Sequence, residues 1–85
     1  MSNEQIFQQY KAAWVEKDAI DNQRRDAEGP WAQDEDDNYL APKTERDAAK
    51  SRMIELGHLM SRLMTQIEAM PVTEEKKELA KKYLR

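Results

Sequence analysis

The chain has 85 residues, which is room for one domain and a thin core. Its 17 acidic and 14 basic residues leave a net charge of −3, which excludes the basic profile of a general nucleic-acid binder. With no cysteine, neither disulfides nor thiolate metal sites can support so small a fold.

Three helical segments follow in order, and no strand-like alternation interrupts them. The first is expected at about residues 3–25. Ser2 can cap its exposed N–H groups, and Gln5, three residues on, completes a capping box. Ile6, Phe7, Tyr10, Ala13, Trp14 and Ile20 then recur at helical spacing. The stripe through Tyr10, Lys17 and Arg24 begins aromatic and becomes cationic.

Residues 26–43 read as an acidic connector. Gly29-Pro30 is a helix breaker, and the run Asp34 to Asp37 repels itself into solvent. Trp31, Tyr39 and Leu40 stand out, because aromatics in a polar connector usually fold back onto the helices. Asp34, Asp36, Asn38 and Glu45 match positions one, three, five and twelve of a calcium loop. Tyr39 takes the place of the glycine that such a loop needs for its turn, and Pro42 follows. No metal site is therefore expected, and no cofactor.

The second helix is expected at about 44–70, capped by Thr44 and ended by Pro71. Ala49, Met53, Leu56, Met60, Leu63, Ile67 and Met70 alternate in steps of four and three, a heptad seam. So apolar a seam asks for a partner, either the first helix of the same chain or another copy. Met64 and Leu59 widen it, and Gly57 beside it either permits close approach of another backbone or is a tolerated surface glycine. Four of the five methionines lie on this helix, and their flexible thioethers suit irregular contact surfaces. A short third helix, about 73–84, starts at Thr73 and carries Leu79, Ala80, Tyr83 and Leu84 on one face.

The expected fold is thus all-α: a helical hairpin with a long central helix and a short C-terminal one, in one domain over 1–85. The seam from Met53 and Leu56 through Met60, Leu63 and Ile67 to Met70 is expected to drive homo-oligomeric bundling or to contact a partner. No stretch is long and apolar enough to span a bilayer, and the N-terminus lacks a basic region followed by an apolar one. A cytoplasmic protein is expected.

His58 is the only histidine, with neither metal-ligand company nor a nucleophile beside it. Phosphate-binding glycine loops are absent, so a non-enzyme is expected. Tyr10, Lys11, Trp14, Lys17, Arg24 and Arg25 form the candidate ligand set. Aromatic rings stack on any base, and cations neutralise phosphates. The same residues also suit a plainer role, with Tyr10 and Trp14 in the core and the cations paired to Glu16, Asp18 and Asp21.

Residues 39–80 resemble the hairpin domain of the phage anti-CBASS cyclic-nucleotide sponges, the second anti-CBASS family. The likeness lies in Tyr39-Leu40-Ala41-Pro42-Lys43, the long helix, and Pro71-Val72-Thr73-Glu74-Glu75-Lys76. It implies a helical homo-oligomer that sequesters cyclic dinucleotides or trinucleotides between protomers, in the host cytoplasm, without altering them. The base-stacking role would fall on Tyr10 and the phosphate-binding role on Arg24 or Arg25. The alternative is a small helical interaction module or inhibitor, using its methionine-rich face and acidic loop on a host protein.

Overall fold

The computed structural model describes all 85 residues and is all-helical. α1 spans Asn3–Arg25, α2 spans Lys43–Ala69 and α3 spans Glu74–Tyr83, with one 3-10 turn at Gly29–Trp31. The radius of gyration is 16.8 Å and the extents are 55 × 19 × 15 Å. A compact chain of this length would have a radius near ~12 Å. The molecule is a rod, and only nine residues are buried.

Local chemistry sets the helix ends. Ser2 Oγ accepts from Gln5 N–H at 3.2 Å, and Gln5 Oε1 accepts from Ser2 N–H at 2.9 Å, the full capping box. Thr73 Oγ1 accepts from Lys76 N–H at 3.2 Å and so starts α3. α2 differs from expectation at its start. It begins at Lys43 with Pro42 as an N-cap that offers no side-chain acceptor, so Thr44 lies inside the first turn. α1 ends in a Schellman turn: Glu28 N–H donates to Gln23 O at 2.8 Å, with Ala27 left-handed at φ 53°. Gly29 is also left-handed at φ 56°, a backbone conformation that a side chain would strain.

α1 and α2 form an antiparallel hairpin, and α3 folds back against the first half of α1. The core gathers at that end: Ile6 and Phe7 from α1, Leu63, Ile67 and Met70 at the end of the seam, and Leu79 from α3. Tyr10, Leu59, Met64, Ala80, Tyr83 and Leu84 pack around it. Trp31 is buried at the other end, where the 3-10 turn packs against both long helices.

The seam is thereby covered within the chain. Leu56, Leu63, Ile67 and Met70 are buried by this protein's own helices, while Ala49, Met53 and Met60 are half-buried. Of the two partners expected for the seam, the first helix of the same chain supplies this cover. The apolar residues of α1 and α3 supply the partner surface. Beside the seam, Ile54 stays exposed at 62% and Trp14 at 37%. No helix is long and apolar enough to cross a membrane.

Candidate functional site

The six residues of the candidate ligand set do not converge. α1 rises about 1.5 Å per residue, which puts Tyr10 roughly 21 Å from Arg24. Tyr10 is half-buried and its ring is spent on the core, so it is not presented to a ligand. Lys11 Nζ donates to Arg85 O at 2.7 Å and lies 4.2 Å from the Trp14 ring centre. Lys17 is paired with Asp21 at 3.4 Å. Arg25 turns outward to Asn22 at 2.8 Å and Asp26 at 3.5 Å. Two separate surfaces remain, one around Trp14 and Lys17 and the other around Arg24.

The first is a groove along the flank of the hairpin. A hollow of about 540 Å³ is lined by Lys17, Met53, Ile54, Gly57, His58 and Ser61. A second hollow of about 290 Å³ shares Lys17 and Gly57 and is walled by Trp14, Asp18, Asp21 and Met60. Gly57 is the floor common to both. A Cβ placed there would meet nothing within 4 Å, so the missing side chain leaves an open notch between α1 and α2. Lys17 shares these walls with Asp18 and Asp21, so the groove carries both signs of charge.

The second surface lies at the connector end. Gln33 and Tyr39 form a short antiparallel bridge that folds the acidic loop back on itself. Asp34 Oδ1 accepts from Asp36 N–H at 2.9 Å and from Asn38 N–H at 3.0 Å. The carboxylate that would open a calcium loop is used to close this turn. The fold-back carries Tyr39 to α2, where the Arg46 guanidinium stacks 3.7 Å from its ring centre. A cleft of about 210 Å³ there brings Arg24 together with Arg46 and Lys50. Sequence reasoning found Arg24 and missed the other two. Their signal is the four-residue spacing that puts Arg46 and Lys50 on one face of α2, at the end that receives Arg24 in an antiparallel hairpin.

The fold and these surfaces define a class: a small all-helical hairpin protein with an open lateral groove and a cation-lined cleft at its connector end. No family model, no curated protein and no solved structure matches the chain.

Proposed function

We propose that this chain is a non-enzymatic binding protein. It assembles in copies over the Gly57 groove and sequesters a cyclic oligonucleotide between them. The observation that supports the reading is Trp14: a large aromatic ring 37% exposed at the mouth of an open groove, with the Lys11 ammonium 4.2 Å from its centre. A base can stack on that ring, and Lys11 and Lys17 face its phosphates. The carboxylates of Asp18 and Asp21 set negative charge beside Lys17, which disfavours long nucleic acids. Both signs along the rim make the surface self-complementary about a two-fold axis. Assembly rests on this flank, since the seam itself is already covered.

A second reading places an amphipathic helix of another protein in the same groove. Ile54 at 62% exposure and the half-buried Met53 and Met60 favour it, because flexible methionines adapt to a helix face.

Light scattering over a range of concentrations, with calorimetry against cyclic dinucleotides and trinucleotides, tests the first reading. It expects an oligomer, and binding heat that disappears in Trp14→Ala. A chain that stays monomeric and gives no heat with any of these ligands rules the reading out.

A further inference from the structure

The connector cleft has no part in the groove reading. Trp14 and Arg24 stand about 15 Å apart along α1. Three cations meet in the cleft from two helices, and none of them is in an ion pair: Arg24 from the last turn of α1, Arg46 and Lys50 from α2. Three nearby acids are engaged elsewhere, while Glu28, Glu35, Asp36, Asp37 and Glu45 lie outside the lining of the cleft. Asp26 pairs with Arg25 at 3.5 Å, Asp47 with Lys43 at 3.2 Å, and Asp34 closes the loop turn. No carboxylate lines the cleft. Three positive groups without an ion pair around one hollow repel one another, and an anion placed between them relieves that repulsion.

Arg46 is also held in position. Its Nη1 donates to Ala41 O at 3.0 Å and its plane lies on the Tyr39 ring, while its other donors have no protein acceptor. An arginine fixed by stacking keeps its fork aimed and loses little freedom when an oxyanion arrives. Buried Trp31 backs the hollow, and Gln33 adds a side-chain amide at its edge.

Size narrows the ligand. The volume of 210 Å³ equals about seven waters at ~30 Å³ each, below the range of roughly 300–1,000 Å³ typical of whole-ligand pockets. We infer that the cleft of Arg24, Arg46 and Lys50 binds a phosphoryl group, with the Arg46 fork on its oxygens and Arg24 and Lys50 neutralising its charge. The group comes either as the free ion or as the end of a nucleotide whose base reaches the exposed Tyr39.

The test is titration of the full chain with inorganic phosphate, followed by NMR at the Arg46 Nε–H and Trp31 indole resonances. Sodium chloride at equal ionic strength is the control. Saturable shifts are expected with phosphate only. They should strengthen between about pH 6 and 8, because inorganic phosphate loses its second proton roughly one unit above the ~6 of a phosphomonoester, while the arginines and the lysine stay charged. Arg24→Gln with Lys50→Gln should weaken binding at least ~tenfold with an unchanged circular dichroism spectrum. Arg46→Lys, which keeps the charge and loses the fork, should also weaken it. A nucleoside 5′-monophosphate that binds more tightly than phosphate marks the nucleotide as the source, and equal affinity marks the free ion. Shifts that chloride reproduces, or that survive the double substitution, overturn the assignment.

Discussion

The Arg52 guanidinium clasps the Glu16 carboxylate with two hydrogen bonds, Nε to Oε2 at 2.8 Å and Nη2 to Oε1 at 3.2 Å. A third, from Nη1 to Glu55 Oε2 at 3.2 Å, braces the arginine on its own helix. These bonds hold the Arg52 pKa above its ordinary value, Glu16 contributing most and Glu55 next. This is the ion pair that ties α1 to α2, and it sits midway along the rod, away from the three-helix core. It therefore helps to fix the register of the hairpin beside the buried Ala13 and Leu56. Both partners are about half exposed, so solvent and salt screen the pair. Arg52→Lys keeps the charge but cannot form the fork. Its melting temperature should fall by no more than a few degrees, and the gap to the parent should narrow in 1 M salt, as calorimetric scans would show.

At the other end, the Tyr83 hydroxyl donates to Glu4 Oε1 at 3.0 Å and accepts from Gln8 Nε2 at 3.1 Å, with the Lys82 ammonium 3.5 Å from the same Glu4 oxygen. This latch holds α3 on α1. Lys82 is held above its ordinary pKa, first by the neighbouring Tyr83 phenol and then by Glu4. A raised lysine pKa contributes stability that is complete below the unfolded value, near ~10.4, and is lost as pH climbs through the higher folded value. The melting temperature should therefore decline on the alkaline side, beginning near pH ~10. Lys82→Gln should shallow that decline and leave the profile at pH 6–8 nearly level. An identical alkaline slope in both proteins would remove Lys82 as its source.

Ala27 occupies the left-handed position after α1, where glycine is the usual residue. Holding an alanine there costs about 1–2 kcal/mol relative to its preferred backbone. Ala27→Gly should raise stability to chemical denaturation by roughly 1 kcal/mol, less than the full cost because glycine gains freedom in the unfolded chain. The gain should be absent if the turn is not formed in solution.

The helices were legible because their signals are local. Ser2 with Gln5, Gly29-Pro30, Pro71 and Thr73 each act within a few residues, and the observed helix ends fall where those residues put them. Thr44 misled because Pro42 already fixes the chain for helix entry one residue earlier. The partner of the seam was less legible. The apolar stripe of α1 thins into Lys17 and Arg24, so spacing alone left open whether α1 or another copy covers α2. In the fold Ala13 is small enough to be buried between the helices, and α3 brings Leu79 to the same core. The cationic cleft was hidden for another reason. It depends on the Asp34 turn and the Gln33–Tyr39 bridge carrying Tyr39 to Arg46, a tertiary event that helical spacing does not encode.

Phe7 is fully buried, and Leu63, at 3% exposure, belongs to the same cluster. The whole chain should be stable by on the order of 4–13 kcal/mol, at ~0.05–0.15 kcal/mol per residue. Leu63→Ala should cost about 2–5 kcal/mol and Phe7→Ala about 3–5 kcal/mol. In so thin a core the total lies toward the lower end of that range, and there the second loss matches it. Phe7→Ala is expected to be largely unfolded at 37 °C by circular dichroism, whereas Ile54→Ala, at an exposed site on the same rod, should unfold as the parent does.

Gly57 separates a role in folding from a role in binding. In the interior of α2 a glycine costs about 1 kcal/mol relative to alanine, through its freedom in the unfolded chain. Nothing within 4 Å would oppose a Cβ at this position. Gly57→Leu should therefore raise the melting temperature by several degrees, since a gain near ~1 kcal/mol moves a domain of this size by about 4–8 °C. The same side chain would stand in the notch that joins the two lateral hollows and occupy the space a second copy or a ligand base needs. Association measured by light scattering, and any heat with cyclic oligonucleotides, should be lost in this more stable protein. A loss of binding in a destabilised variant would have two explanations, whereas here it has one. Gly57→Leu that gains stability and still assembles and binds like the parent would show that the groove is not the working surface.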